Sequence, residues 1–231
     1  MEAFIYVRMT FQPWSRNLRP MRSDDNIASP AERLANGVVQ SANVVLAVTG
    51  CVALGVLVGT HADPLQLAAL AVYGAGLLAM VGASALYAWG RGGRRHTLYR
   101  HLDHAAIFVM IAGTYTPFIV ISFGGMQGRW LLALIWAVAL AGVLLKLIAP
   151  RRFEPLSVPL YLVMGWAVLS RPGLLLSLPA SVIMLLVAGG VFYSVGIVFH
   201  LARMRFQEAI WHSFVLAAAA CHYAAIVHIG A

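Results

Sequence analysis

Apolar runs as long as a bilayer is thick recur along this chain, and no other feature restricts its fold as much. Spanning a bilayer takes roughly 20 consecutive apolar residues in a helix, because only intrahelical hydrogen bonds satisfy the backbone in hydrocarbon. Seven stretches qualify as candidates, at about residues 37–60, 65–90, 105–123, 130–149, 156–169, 174–200 and 209–229. The fifth is short, with Arg152 and Arg171 near its ends, and is expected to tilt little or to thin the bilayer locally. With 61% hydrophobic and 10% charged residues, the chain has no composition for a soluble domain. The expected fold is all-α, a polytopic bundle of seven membrane helices.

The net charge of +8 invites a nucleic-acid reading, but its distribution argues against one. Fourteen of the sixteen Lys and Arg fall before span 1, after span 2, around the end of span 4 and after span 6. Only Arg129 and Arg171 fall in the alternate loops. Basic loops stay on the cytoplasmic side, so the N-terminus is expected in the cytoplasm and the C-terminus outside. Such loops also favour anionic headgroups. The expected location is the inner (plasma) membrane, with lipids as partners, no nucleic acid, and a homo-oligomer left open.

Residues 1–30 carry four arginines and no long apolar core, which predicts a mobile basic cytoplasmic tail before one membrane domain, 31–231. Met21 is a second candidate start, decidable by N-terminal sequencing. Ser29-Pro30-Ala31-Glu32 has the pattern of a capped helix start. His61-Ala62-Asp63-Pro64 predicts a tight turn, with His61 a loop residue, and Pro117 predicts a kink in span 3. Small residues at helical spacing (Gly55 with Gly59, Gly74 to Gly76, Gly189 with Gly190) predict close helix crossings. Trp14, Trp89, Trp130 and Trp211 read as interfacial anchors. Cys51 and Cys221, both within spans, read as packing residues.

Ionisable groups at the mouths of such helices are costly unless they face protein, water or a metal. Here they converge. Asn36 stands at the head of span 1, Ser84 near the end of span 2, Asp103 and His104 at the start of span 3, and Glu208 and His212 at the start of span 7. By the expected topology all lie in the cytoplasmic third. Glu208 and His212 are four apart, so they share a helix face, where they can hold one metal ion or each other. Asp103 and Glu208 also suit local roles, as first-turn carboxylates at a helix dipole paired with Arg100 or Arg205. His212 also suits a hydrogen-bonded core role. His222 and His228, toward the other end, read as packing or interfacial residues, and His200 as a headgroup neighbour.

The strings LDHAAIFVMIAGTYTPF (102–118), SALY (84–87) and AIWHSFVLAAAACHYAAI (209–226) closely resemble the bacterial hemolysin III family of the progestin and adipoQ receptor (PAQR) superfamily. Glu32 with Asn36, Tyr161 with Met164-Gly165-Trp166, and Gly189-Gly190 before Tyr193 extend the resemblance from about Pro30 to the C-terminus. The resemblance implies a seven-helix bundle with a three-His zinc site near the cytoplasmic face, beside an Asp that holds the water. It also implies lipid-amide hydrolysis, as in eukaryotic relatives, or the older label of cytolysin.

The chain departs from that pattern at the metal. Ala88 stands where the span 2 His belongs, Glu208 where the first span 7 His belongs, and Val39-Gln40 where a Thr-His pair belongs. His212, Ser84 and Asp103 remain. Two expectations follow. Either Glu208, His212 and Asp103 form a remodelled site for zinc or another divalent ion, or the site is polar and metal-free. Asp103 as general base and Ser84 as the group holding the water are the expected catalytic residues. Three functions remain in play: a lipid hydrolase, a pore-forming cytolysin, and a non-catalytic protein that senses or organises lipids.

Overall fold

A computed structural model describes residues 28–58, 62–202 and 204–230. The basic tail through residue 27 lies outside them, with Trp14 and the second candidate start at Met21, as do Gly59, His61 and Arg203. Among the described residues the chain is all helical, with no strand. Helix α1 covers Pro30–Leu57, α2 Pro64–Trp89, α3 His96–Pro117 and α4 Gly125–Ile148. Then come α5 Pro150–Gly165, the single turn α6 Pro172–Leu175, α7 Ala180–Leu201 and α8 Gln207–Gly230.

Six of these helices, α1 to α4, α7 and α8, are long and apolar enough to cross a bilayer. The span expected fifth differs. Helix α5 has 16 residues, about 24 Å at helical rise, and gives way to a 3₁₀ turn at Ala167–Ser170. Large apolar side chains on the outside, such as Val52, Leu134, Leu140 and Val198, are more than half exposed. A water-soluble monomer does not tolerate such a surface, whereas hydrocarbon solvates it.

The capped start of α1 forms as expected. The Ser29 hydroxyl accepts from Glu32 N at 3.3 Å, and Glu32 Oε2 accepts from Ser29 N at 2.8 Å. The other carboxylate oxygen, Oε1, accepts from Phe206 N at 3.0 Å and so ties the start of α1 to the start of α8. Asp63 caps α2 through Leu65 N and Gln66 N. The expected kink at Pro117 takes a different form: the hydrogen-bond ladder slips into a π-helical segment, Phe118–Ser122, closed by Phe123 N on Phe118 O at 3.0 Å. Proline donates no N–H, and a π-bulge is one way a helix absorbs a local fault.

Consecutive helices pack as neighbours, α2 on α3, α3 on α4 and α7 on α8, and α1 closes the bundle against α2 and α8. Gly76 meets Gly113 across the α2–α3 crossing, and Gly74 meets Cys51. Gly189 lies under the His222 ring and Gly190 under Trp166, while Gly142 faces Phe108. Gly55, expected on a close crossing, has open space where a Cβ would stand. Tyr73, Phe108, Val182 and Ile226 fill the centre with no exposure.

Candidate functional site

The site is built where α1 begins, α2 ends and α8 begins. A short turn joins α7 to α8, and the Glu32–Phe206 bond sets the first turn of α8 beside that of α1. This places Asn36 against both Glu208 and His212. Asn36 Nδ2 donates to Glu208 Oε2 at 2.8 Å, and Asn36 Oδ1 lies 2.8 Å from His212 Nδ1. Glu208 and His212 thus share a face as their spacing predicts, but they hold the two ends of one amide instead of a common ion.

A carboxylate accepts hydrogen bonds and donates none, so the Asn36 NH2 must face Glu208. Its carbonyl then faces the histidine, and His212 Nδ1 carries the proton. In the neutral ring this leaves Nε2 with its lone pair. The Ser84 hydroxyl stands 3.1 Å from that nitrogen and can donate its one hydrogen there, with the Asp103 carboxyl as its other neighbour. Ser84 Oγ in turn accepts from Gln40 Nε2 at 3.1 Å, and Gln40 Oε1 accepts from Asn43 Nδ2 at 3.4 Å. The result is a chain of seven polar residues, Arg91, Glu208, Asn36, His212, Ser84, Gln40 and Asn43, within otherwise apolar helices. Asn36, Gln40, Asn43, Ser84 and His212 are all buried, and burial without partners is what such groups do not tolerate.

Several sequence expectations change here. The partner of Glu208 is Arg91, from the loop after α2, and not Arg100 or Arg205. Helix α3 begins at His96, so Asp103 lies two turns inside it and cannot serve as a first-turn carboxylate. Its carboxyl lies beside the Ser84 hydroxyl and the His104 ring. His104 turns instead to Glu154, with Nδ1 3.3 Å from Oε1, and its carbonyl accepts from the Tyr161 hydroxyl at 2.7 Å.

Glu154 belongs to a second polar cluster that the spacing of residues did not announce. Lys146 on α4 has no exposure and donates to Glu154 Oε2 at 2.5 Å and to Ser157 Oγ at 3.1 Å. The interrupted run around Pro155 and Pro159 hid α5 as a helix that starts at Pro150, and with it the placing of Glu154 and Ser157 beside Lys146. His222 packs on Gly189 and lies 5.7 Å from the Tyr193 ring, a packing contact, whereas His228 is exposed and lies 3.4 Å from Ser181. The His200 ring packs 5.0 Å from Trp211.

The residues present do not fit the three-His zinc of the resemblance. Ala88 has no donor, Glu208 is committed to Arg91 and Asn36, and both His212 nitrogens face hydrogen-bonding partners. Among the described residues no three His, Cys, Asp or Glu side chains are grouped to meet one ion.

A cavity of about 370 Å³ adjoins the polar chain, between α1, α2 and α8. Its walls are mostly apolar, with Leu46, Ala47, Leu77 and Met80 among them, and Asn43 of the polar chain also lines it. Val81 and Val215, which also line it, lie three residues along their helices from Ser84 and His212.

The family profile described as Haemolysin-III related matches residues 31–223. The chain is 35% identical to Hemolysin-3 of Bacillus cereus over 191 residues, 82% of this chain and 87% of that one. It is 34% identical to the Hemolysin-3 homolog of Bacillus subtilis over 194 residues, 83% and 91% of the two chains. The human Monocyte to macrophage differentiation factor is 28% identical over 164 residues, 67% of each chain. No solved structure matches. With its strings at 84–87, 102–118 and 209–226 in a bundle of apolar helices, and with these relatives, the chain belongs to the hemolysin III family of the PAQR superfamily and is a multi-pass membrane protein.

Proposed function

We propose that this hemolysin III-type protein is a membrane hydrolase of lipids, acting at the polar end of its bundle in lipid or membrane homeostasis. The observation that carries the reading is the junction of a buried polar chain with an apolar cavity. Asn43 belongs to both, and Ser84 and His212 lie one helical turn from Val81 and Val215, walls of a space that suits an acyl chain. Water attack on the carbonyl of a lipid amide or ester needs a base and a held hydroxyl, and Asp103 and Ser84 fill these roles. The chain crosses the inner membrane seven times in this reading, α5 with its following turns making the short fifth crossing, the N-terminus in the cytoplasm and the polar site near the cytoplasmic face.

The pore reading comes from the name of the Bacillus relatives. A conducting path needs polar groups along its length. Here most buried polar residues gather toward one end, Thr116 excepted, while Tyr73, Phe108, Val182 and Ile226 fill the middle.

The test is release of free fatty acid from vesicles containing N-acyl and O-acyl lipids, by protein purified in detergent and reconstituted. Wild type is expected to release fatty acid, and Asp103→Asn to lower the rate about 100-fold, the size of a lost general base. Ion flux without any release would replace this reading with the pore.

A further inference from the structure

The chain that ends on Ser84 has the order and polarity of a nucleophile relay, and this goes beyond a residue that merely holds water. A serine becomes reactive when its hydroxyl hydrogen-bonds to an imidazole whose other nitrogen is fixed by an acceptor. Ser84 Oγ stands 3.1 Å from His212 Nε2, and His212 Nδ1 stands 2.8 Å from Asn36 Oδ1. The tautomer is imposed from outside, because Glu208 claims the Asn36 amide hydrogens. The three residues come from three helices, α2, α8 and α1, so the alignment is a product of the bundle and not of one motif.

Resting on the hydrolase reading above, we propose that Ser84, His212 and Asn36 form a metal-independent serine triad, with Ser84 as the nucleophile that takes an acyl group from a lipid ester or amide.

The step balances with water alone. Ser84 Oγ attacks the carbonyl carbon, and its proton passes to His212 Nε2. The Nδ1 hydrogen stays on the ring and is donated to Asn36 Oδ1. The carbonyl oxygen becomes an oxyanion. Gln40 Nε2, already 3.1 Å from Ser84 Oγ, is the side-chain donor that can turn to it. Collapse of the tetrahedral species breaks the C–O or C–N bond, and the leaving alcohol or amine takes the proton from His212. Water then gives a proton to Asp103, the base of this second step, and attacks the acyl-Ser84 ester. Fatty acid leaves, and the proton passes from Asp103 to Ser84 Oγ to restore the hydroxyl. His212 is the base of the first step and Asn36 a positioning residue. The cavity walls at Val81 and Val215 bring the acyl chain to this pair.

The changes at the metal belong to the same account. A histidine four residues before His212 would hold a metal together with it, and the metal would take a ring lone pair, whereas Glu208 orients Asn36. Ala88 puts no metal-binding group beside Ser84.

The experiment uses an alkyl fluorophosphonate on the reconstituted full-length protein, with the labelled peptide identified by mass spectrometry. Activated serines displace fluoride from this probe, and the other serines of the chain serve as internal controls. Wild type is expected to label at Ser84, unchanged after incubation with a chelator. His212→Ala is expected to slow labelling at least about 100-fold. Asn36→Ala is expected to lower the maximal labelling rate about tenfold with the half-saturating probe concentration unchanged, which loss of structure would not do. Since wild type alone reports the site, a variant that fails to fold leaves the test intact. Fatty acid release by a wild type that never labels at Ser84 would overturn the triad and leave the hydrolase. Chelator-sensitive release without labelling would overturn it in favour of a metal. Neither release nor labelling would remove both readings.

Discussion

At the scale of residues, two buried polar clusters set the consequences of substitution. Asn36 satisfies a carboxylate and an imidazole at once, so Asn36→Leu leaves both short of a partner. A loss of about 1–3 kcal/mol is expected, the cost of an unsatisfied buried group, read as a lower melting temperature in detergent. The Lys146 cluster predicts an asymmetry. Lys146 is fully buried, whereas the Glu154 side chain is 36% exposed. Glu154→Gln strands the ammonium and is expected to cost about 2–3 kcal/mol, below the range for fully buried pairs because one partner meets solvent. Lys146→Met leaves a carboxylate that water can reach and is expected to cost less. Equal losses in paired thermal melts would refute the assignment. Ser84, Asp103, Glu208 and His212 were legible in the sequence as ionisable or hydroxyl groups at helix mouths. Gln40 and Arg91 were not, because which residue they touch depends on the rotation of helices that their own neighbours do not encode.

At the scale of elements, glycines divide into those a neighbour needs and those none does. An ideal Cβ on Gly142 would stand 2.6 Å from the Phe108 ring, which has no exposure and little room to move. Gly142→Ala is expected to destabilise by about 1–3 kcal/mol through overpacking at the α3–α4 crossing. Gly55 has open space and is expected to gain about 0.5–1 kcal/mol as Ala, since helical glycine forfeits backbone entropy. Thermal melts of the two variants should move in opposite directions. The start of α1 offers a second contrast. Ser29→Ala removes one cap bond, worth about 1 kcal/mol. Glu32→Ala removes the reciprocal bond and also the tie to Phe206, so its melting temperature should fall further. The capping box was visible in four consecutive residues. The tie from Glu32 to Phe206 was not, because it joins positions 174 apart.

At the scale of the whole molecule, many large apolar side chains face outward while most buried polar groups turn inward toward one end. That inversion of a soluble protein is what hydrocarbon as solvent requires. The seven-crossing topology makes a test by single cysteines, with Cys51 and Cys221 replaced by alanine. Gly92→Cys in the basic loop is expected to react with a membrane-impermeant maleimide only after the cell is opened. Gly124→Cys and a cysteine added after Ala231 are expected to react in intact cells. A C-terminal cysteine that stays protected would mean that α5 does not cross.

The all-helical class, the membrane as solvent, the capped start of α1 and the family were all contained in local pattern: runs of apolar residues, charge in alternate loops, and the strings at 84–87, 102–118 and 209–226. Such features depend on residues near one another in the chain, so order along the sequence suffices to read them. Tertiary structure alone decided that Asn36 stands between Glu208 and His212, that Arg91 is the partner of Glu208, that Asp103 lies two turns inside its helix, and that Ser84 points its hydroxyl at an imidazole. Hydrogen bonds form over about 3 Å with strict direction. Which groups meet at that range is set by how α1, α2 and α8 are rotated and stacked, and every packed side chain between them contributes to that rotation.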